Sequence, residues 1–76
     1  MRIITWDVPL GIQTELSGQR DSDKISTIRG LIDTGNIPRG WGTRLIADIH
    51  TEMRGEGRIV YASNYSNKWD RREIAV

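Results

Sequence analysis

His50 is the sole histidine in a chain of 76 residues that has no cysteine, so imidazole, thiol and most zinc chemistry would have to pass through one side chain. A zinc site needs several His, Cys or carboxylate ligands converging at short spacing. Asp48 and Glu52 each stand two positions from His50, and on a helix such neighbours project in quite different directions. Arg54, one turn further on, would repel a cation. The expectation is no bound metal, with His50 at the edge of an apolar stripe. Acid–base catalysis asks for two carboxylates in distinct environments facing one substrate. Glu52, Glu56, Asp70 and Glu73 lie instead in charge-mixed stretches, and Arg44 and Asp48, one turn apart, read as a surface ion pair. Ser17, Ser22, Ser26, Ser63 and Ser66 have no base apart from His50, and no Gly-x-Ser-x-Gly elbow is present. These absences argue against an enzyme, and no cofactor is expected.

A phosphate site is the next candidate, because Gly35 to Gly42 is rich in glycine and precedes a helical pattern whose N-terminus would attract anions. No lysine follows the last glycine as a P-loop requires, and no strand feeds the stretch directly. The simpler expectation is a helix–helix connector, with Arg39 and Arg44 near the helix start.

The remaining residues suit holding a partner. Trp41 with Arg39 and Arg44 makes one cluster; Tyr65, Lys68, Trp69, Arg71 and Arg72, with Tyr61, make another. Aromatic rings and arginines dominate binding hot spots because they bury large areas and make directional contacts. Trp6 and Trp41 are assigned to the core, and Trp69 with Arg71 and Arg72 to an interaction surface. A larger protein is the favoured partner, occupied by this chain as an inhibitor or adaptor. Small motif-free proteins of that kind are common among phage and mobile-element products that block host machinery.

Nucleic acid is the alternative partner. Rings and cations together suit single strands, and Ile25 to Ile49 followed by Gly55–Tyr65 resembles a winged helix-turn-helix. Against it stand the net charge of only +1, an eight-residue connector, and Asp48 and Glu52 on the second helix. A third option, a small-molecule site around Arg39, Arg44 and His50, ranks last.

Positioning these groups falls to a few elements. Ile3, Ile4, Trp6 and Val8 predict a strand, and Pro9-Leu10-Gly11 a turn. Alternation of Ile12, Thr14 and Leu16 with polar residues predicts a second strand, paired with the first as a hairpin. Ile25, Ile28, Leu31 and Ile32 share a helical face over 23–34, capped by Asp21, Ser22 or Asp23 and stopped by Gly35 or Asn36. Leu45, Ile46, Ile49 and Met53 mark a second helix over 43–54, which Trp41 would extend by one turn, ended by Gly55 and Gly57. Arg58 to Tyr65 is rich in strand formers, Ser66-Asn67 suits a turn, and 69–76 suits a last strand or a frayed helical turn. Gly30 sits inside the first helix, opposite the apolar stripe.

The order ββααβ(β) predicts one small α+β two-layer domain over residues 1–76, with an antiparallel sheet of three or four strands packed by two helices. The runner-up is a mostly helical domain with a β-ribbon wing. At this size the total stability comes to about 4–11 kcal/mol, and burying more apolar surface, in a homodimer or against a partner, would add to it. No run is long enough for a membrane span or a signal peptide, so a cytoplasmic protein is expected.

Overall fold

In the opening strand, β1 (Arg2–Pro9), alternate residues Ile4, Trp6 and Val8 are buried while Ile3, Thr5 and Asp7 are half-buried. That is the signature of a strand with one face against a core. The computed structural model describes residues 1–66 and 68–75. The order is β1, then α1 (Leu10–Leu16), α2 (Asp21–Asp33), α3 (Arg39–Met53), β2 (Gly57–Asn64) and β3 (Asp70–Ala75). The fold is thus the expected α+β domain of two layers, with three helices and a three-stranded sheet in the order β2-β1-β3.

The topology differs from expectation at α1 and in the direction of one strand pairing. Residues 12–16 are helical, as α1, and form no hairpin strand. Ile12 and Leu16 satisfy both periods, since four residues apart means one face of a helix and one face of a strand. Thr14 decides between them: a strand would carry it inward, yet it is exposed and its hydroxyl donates to the Leu10 carbonyl at 3.2 Å. Pro9, at φ −58° in the cap position, presets the helical entry. The sheet is also mixed and not purely antiparallel. Three helices separate β1 from β2, so the chain returns to the same end and pairs parallel, Ile4 beside Ile59 and Trp6 beside Tyr61. β3 then crosses the end of β1 and pairs with its other edge antiparallel, Trp6 beside Arg71.

Ile25 and Ile28 from α2, Leu45 and Ile49 from α3, and Leu16 from α1 close over Ile4, Trp6, Val8 and Ile59. The cap of α2 is Arg20, which makes no side-chain cap bond; Asp21 and Asp23 lie in the first turn, where their charge suits the helix dipole. Gly35, at φ 76°, stops α2 as expected, and the Asn36 amide donates back to the Leu31 carbonyl at 2.8 Å. α3 begins at Arg39, with Pro38 as cap, and so includes the extra turn that Trp41 suggests. Gly42 is buried there because α2 comes close: a β-carbon at that position would overlap the Ile32 side chain. Gly55 ends α3, whereas Gly57 opens β2. The last segment is a strand, although its final residue, Val76, and Asn67 of the expected turn lie outside the described residues.

All three helices cover one face of the sheet. The opposite face carries Ile3, Val60 and Ile74 among Thr5, Arg58, Arg72 and Asp7, with Ile74 66% exposed. Gly30 is exposed and a β-carbon there would meet nothing within 4 Å. Gly30→Ala is therefore expected to raise the unfolding free energy by about 0.5–1 kcal/mol, read as a higher urea midpoint at unchanged slope.

Candidate functional site

The carboxyl end of β1 runs directly into α1 and lies beside the connection from β2 to β3. The connection from β2 to β3 must pass over this end because β3 lies on the far side of β1. Asn64 ties that connection down. Its side-chain oxygen accepts from the Ser66 amide at 3.1 Å, the Ser66 hydroxyl at 2.9 Å and the Lys68 amide at 3.2 Å. Its Nδ2 donates to the carbonyls of Val8 and Lys68, at 3.3 and 3.0 Å. This is asparagine turn chemistry, in which the side chain stands in for a backbone turn. The anchored segment leaves Tyr65 89% exposed and turns Trp69 inward.

Trp69 meets Trp6 edge to face, with ring centroids 6.5 Å apart at 79°, and Trp41 meets the same ring at 5.7 Å and 79°. Trp6 is the fully buried centre of this trio, and Trp41 and Trp69 are half-buried at its sides. Beside Trp69 opens a cleft of about 580 Å³, lined also by Pro9, Gly11, Ile12, Glu15, Leu31 and Asn36. That volume lies in the range of small-ligand and side-chain sites. In sheets with parallel strands, the carboxyl end is where ligands characteristically sit.

Beneath the trio lies an ion pair that the expected surface pairing of Arg44 with Asp48 did not anticipate. Asp48 is 4% exposed, and its Oδ2 accepts from Trp6 Nε1 at 2.8 Å and from Arg71 Nε at 2.6 Å. Its Oδ1 accepts from a terminal nitrogen of Arg71 at 3.1 Å, completing a two-pronged pair. Arg71 also contacts Glu73. Bonding to Asp48 holds the Arg71 guanidinium above its ordinary value, against the opposing pull of burial, with Glu73 adding to the rise. The expected pairing of Arg44 with Asp48 is present, with Arg44 Nε 4.0 Å from Oδ1, but the carboxylate is buried and its closer partner is Arg71. The spacing carries only part of this: Asp48 falls three residues after Leu45, at the edge of the apolar stripe, and nothing local names Arg71 as its partner.

The residues expected to meet a partner are thus divided. Tyr65, Lys68 and Trp69 belong to the anchored loop and its cleft. Arg71 points into the molecule, its side chain 12% exposed, and acts by fixing β3 against α3. Arg72 emerges on the open sheet face, 3.4 Å from Asp7. Arg39 and Arg44 are exposed on the first turns of α3. His50 is exposed, and no cluster of three potential metal ligands occurs among the described residues.

Tyr61 supplies a polar group left unpaired among the described residues. Its hydroxyl is buried and has no hydrogen-bond partner among the described residues, while Lys24 Nζ lies 5.6 Å from the ring centroid. Burial pushes the phenol well above its ordinary 10.0, and Glu52, Asp21 and Asp48 push the same way. Its contribution to stability is therefore whole below pH 10.0 and is lost as pH rises from there toward the raised folded value. Tyr61→Phe is expected to gain about 1 kcal/mol at pH 7, the cost of the stranded hydroxyl. The gain over wild type should widen above pH 10, as measured by urea melts across an alkaline series.

No protein-family model matches the chain, and no curated protein or solved structure matches it significantly. No helix among the described residues is long and apolar enough to cross a membrane.

Proposed function

We propose that this protein acts by binding, without chemistry of its own, to a surface of a larger protein, as an inhibitor or adaptor. Tyr65 is the observation that carries this reading: an aromatic side chain 89% exposed on a segment held by the bonds to Asn64. A ring presented from an anchored loop loses little conformational freedom on docking, which is what makes tyrosine an efficient contact residue. Lys68, Trp69 and the cleft beside it extend the contact, with exposed Arg39 and Arg44 on α3 and Arg72 on the open sheet face as further contact residues, and Arg71 as support from below. The nucleic-acid alternative is weakened by pairing: Asp48 bonds Arg71 and stands 4.0 Å from Arg44, and Asp7 stands 3.4 Å from Arg72.

The test is affinity capture from a bacterial lysate on immobilised protein, with and without nuclease, comparing wild type with Tyr65→Ala by mass spectrometry. A protein retained after nuclease treatment and lost with Tyr65→Ala is the expected result. Retention that vanishes with nuclease, or that ignores the substitution, would overturn the proposal.

A further inference from the structure

Resting on the reading of this chain as a protein binder, we infer that the cleft beside Trp69 receives an arginine side chain of the partner. Of the described residues lining it, Glu15 alone is ionisable. Glu15 is exposed and has neither an ion pair nor a hydrogen bond among the described residues, although most carboxylates of this chain sit beside a cation. Asn36 lines the same cleft and donates its Nδ2 to Thr34 Oγ1 at 2.8 Å, so its remaining side-chain atom, Oδ1, is an acceptor. Both polar side chains thus offer oxygen to a hydrogen-bond donor.

The other walls are apolar: Pro9, Ile12, Leu31 and the ring of Trp69, which Trp6 braces edge-on at 6.5 Å. A carboxylate, an amide oxygen and an indole beside an aliphatic wall match a cation carried on a hydrocarbon stem. An anion would meet Glu15 as a like charge, and an apolar group would strip water from that carboxylate without replacing it. Arginine fits better than lysine because its flat guanidinium stacks on an indole and presents a fork to a carboxylate. Tyr65 supplies the adjacent aromatic contact, and the arginine fixes register.

The probe is a blocked tripeptide, acetyl-Gly-Arg-Gly-amide, titrated into isotope-labelled protein and followed by amide and indole NMR shifts. Acetyl-Gly-Glu-Gly-amide is the control. The arginine peptide should move the Trp69 indole N–H and the amides of Gly11, Ile12 and Asn36, saturating with a Kd of about 1 mM or weaker. The glutamate peptide should not. Glu15→Gln, at an exposed position that leaves the core intact, should weaken the arginine peptide roughly two- to fivefold. Silence at Trp69, an equal response to the glutamate peptide, or undiminished binding by Glu15→Gln would overturn the inference. Any of these beside Tyr65-dependent capture of a partner defeats the arginine site alone. Peptide binding that persists when capture ignores Tyr65 defeats only the broader proposal.

Discussion

Asp48→Ala is expected to lower the unfolding free energy by about 3–5 kcal/mol, a large share of the roughly 4–11 kcal/mol available to a domain of this size. The cost arises from what is left behind. Arg71, its side chain 12% exposed, would keep its charge without the two bonds to Asp48, and Trp6 Nε1 would lose its acceptor at 2.8 Å. β3 would loosen first, since Arg71 is its tie to α3. Denaturant melts followed by far-ultraviolet circular dichroism measure the loss. The companion variant Asp48→Leu with Arg71→Met removes both charges together and should recover the part of the loss due to the stranded Arg71 charge, because a buried pair replaced by apolar groups is often neutral, while Trp6 Nε1 stays without its acceptor. A double variant no better than the single one would mean that the pair is net stabilising and not merely costly to break.

Trp6→Ala is expected to cost a similar amount, about 3–5 kcal/mol. Trp6 is fully buried on the central strand and carries Trp41 on one side and Trp69 on the other. Its removal opens a large cavity, leaves Asp48 without one donor and frees Trp69 from its edge contact. Trp6→Phe separates these effects: it keeps an aromatic ring and loses the indole N–H bond, for an expected cost of about 1–3 kcal/mol. Near-ultraviolet circular dichroism reports the outcome independently, because signals from the coupled indoles should collapse in Trp6→Ala even where the variant remains folded. If Trp6→Ala melted like the wild type, the trio would not be the centre of the core.

Several elements are legible in the order of residues alone. Ile25, Ile28 and Ile32 announce α2, Leu45 and Ile49 announce α3, and the β-branched runs announce β1 and β2, because one-sided burial imposes a period on each segment. Gly35, at φ 76°, is readable as a stop because few other residues adopt that backbone. α1 is not legible in this way: Ile12 and Leu16 fit a strand and a helix equally, and only Thr14, facing solvent, distinguishes them.

The site divides in the same way. Aromatic and basic residue types mark Tyr65, Lys68 and Trp69, which are neighbours along the chain and so stand out together. Glu15 and Asn36 carry no such mark, because the passage of the β2–β3 connection across the end of β1 is what brings Trp69 beside them. Local sequence thus decided which faces are apolar, where helices stop and that metal or thiol chemistry has few residues to use. Tertiary structure alone decided strand direction, the burial of Asp48 against Arg71, twenty-three residues away, and the cleft at the end of β1. Periodicity records how each segment meets a core, whereas the pairing of distant charges depends on which strand the chain returns to, and no local pattern carries that.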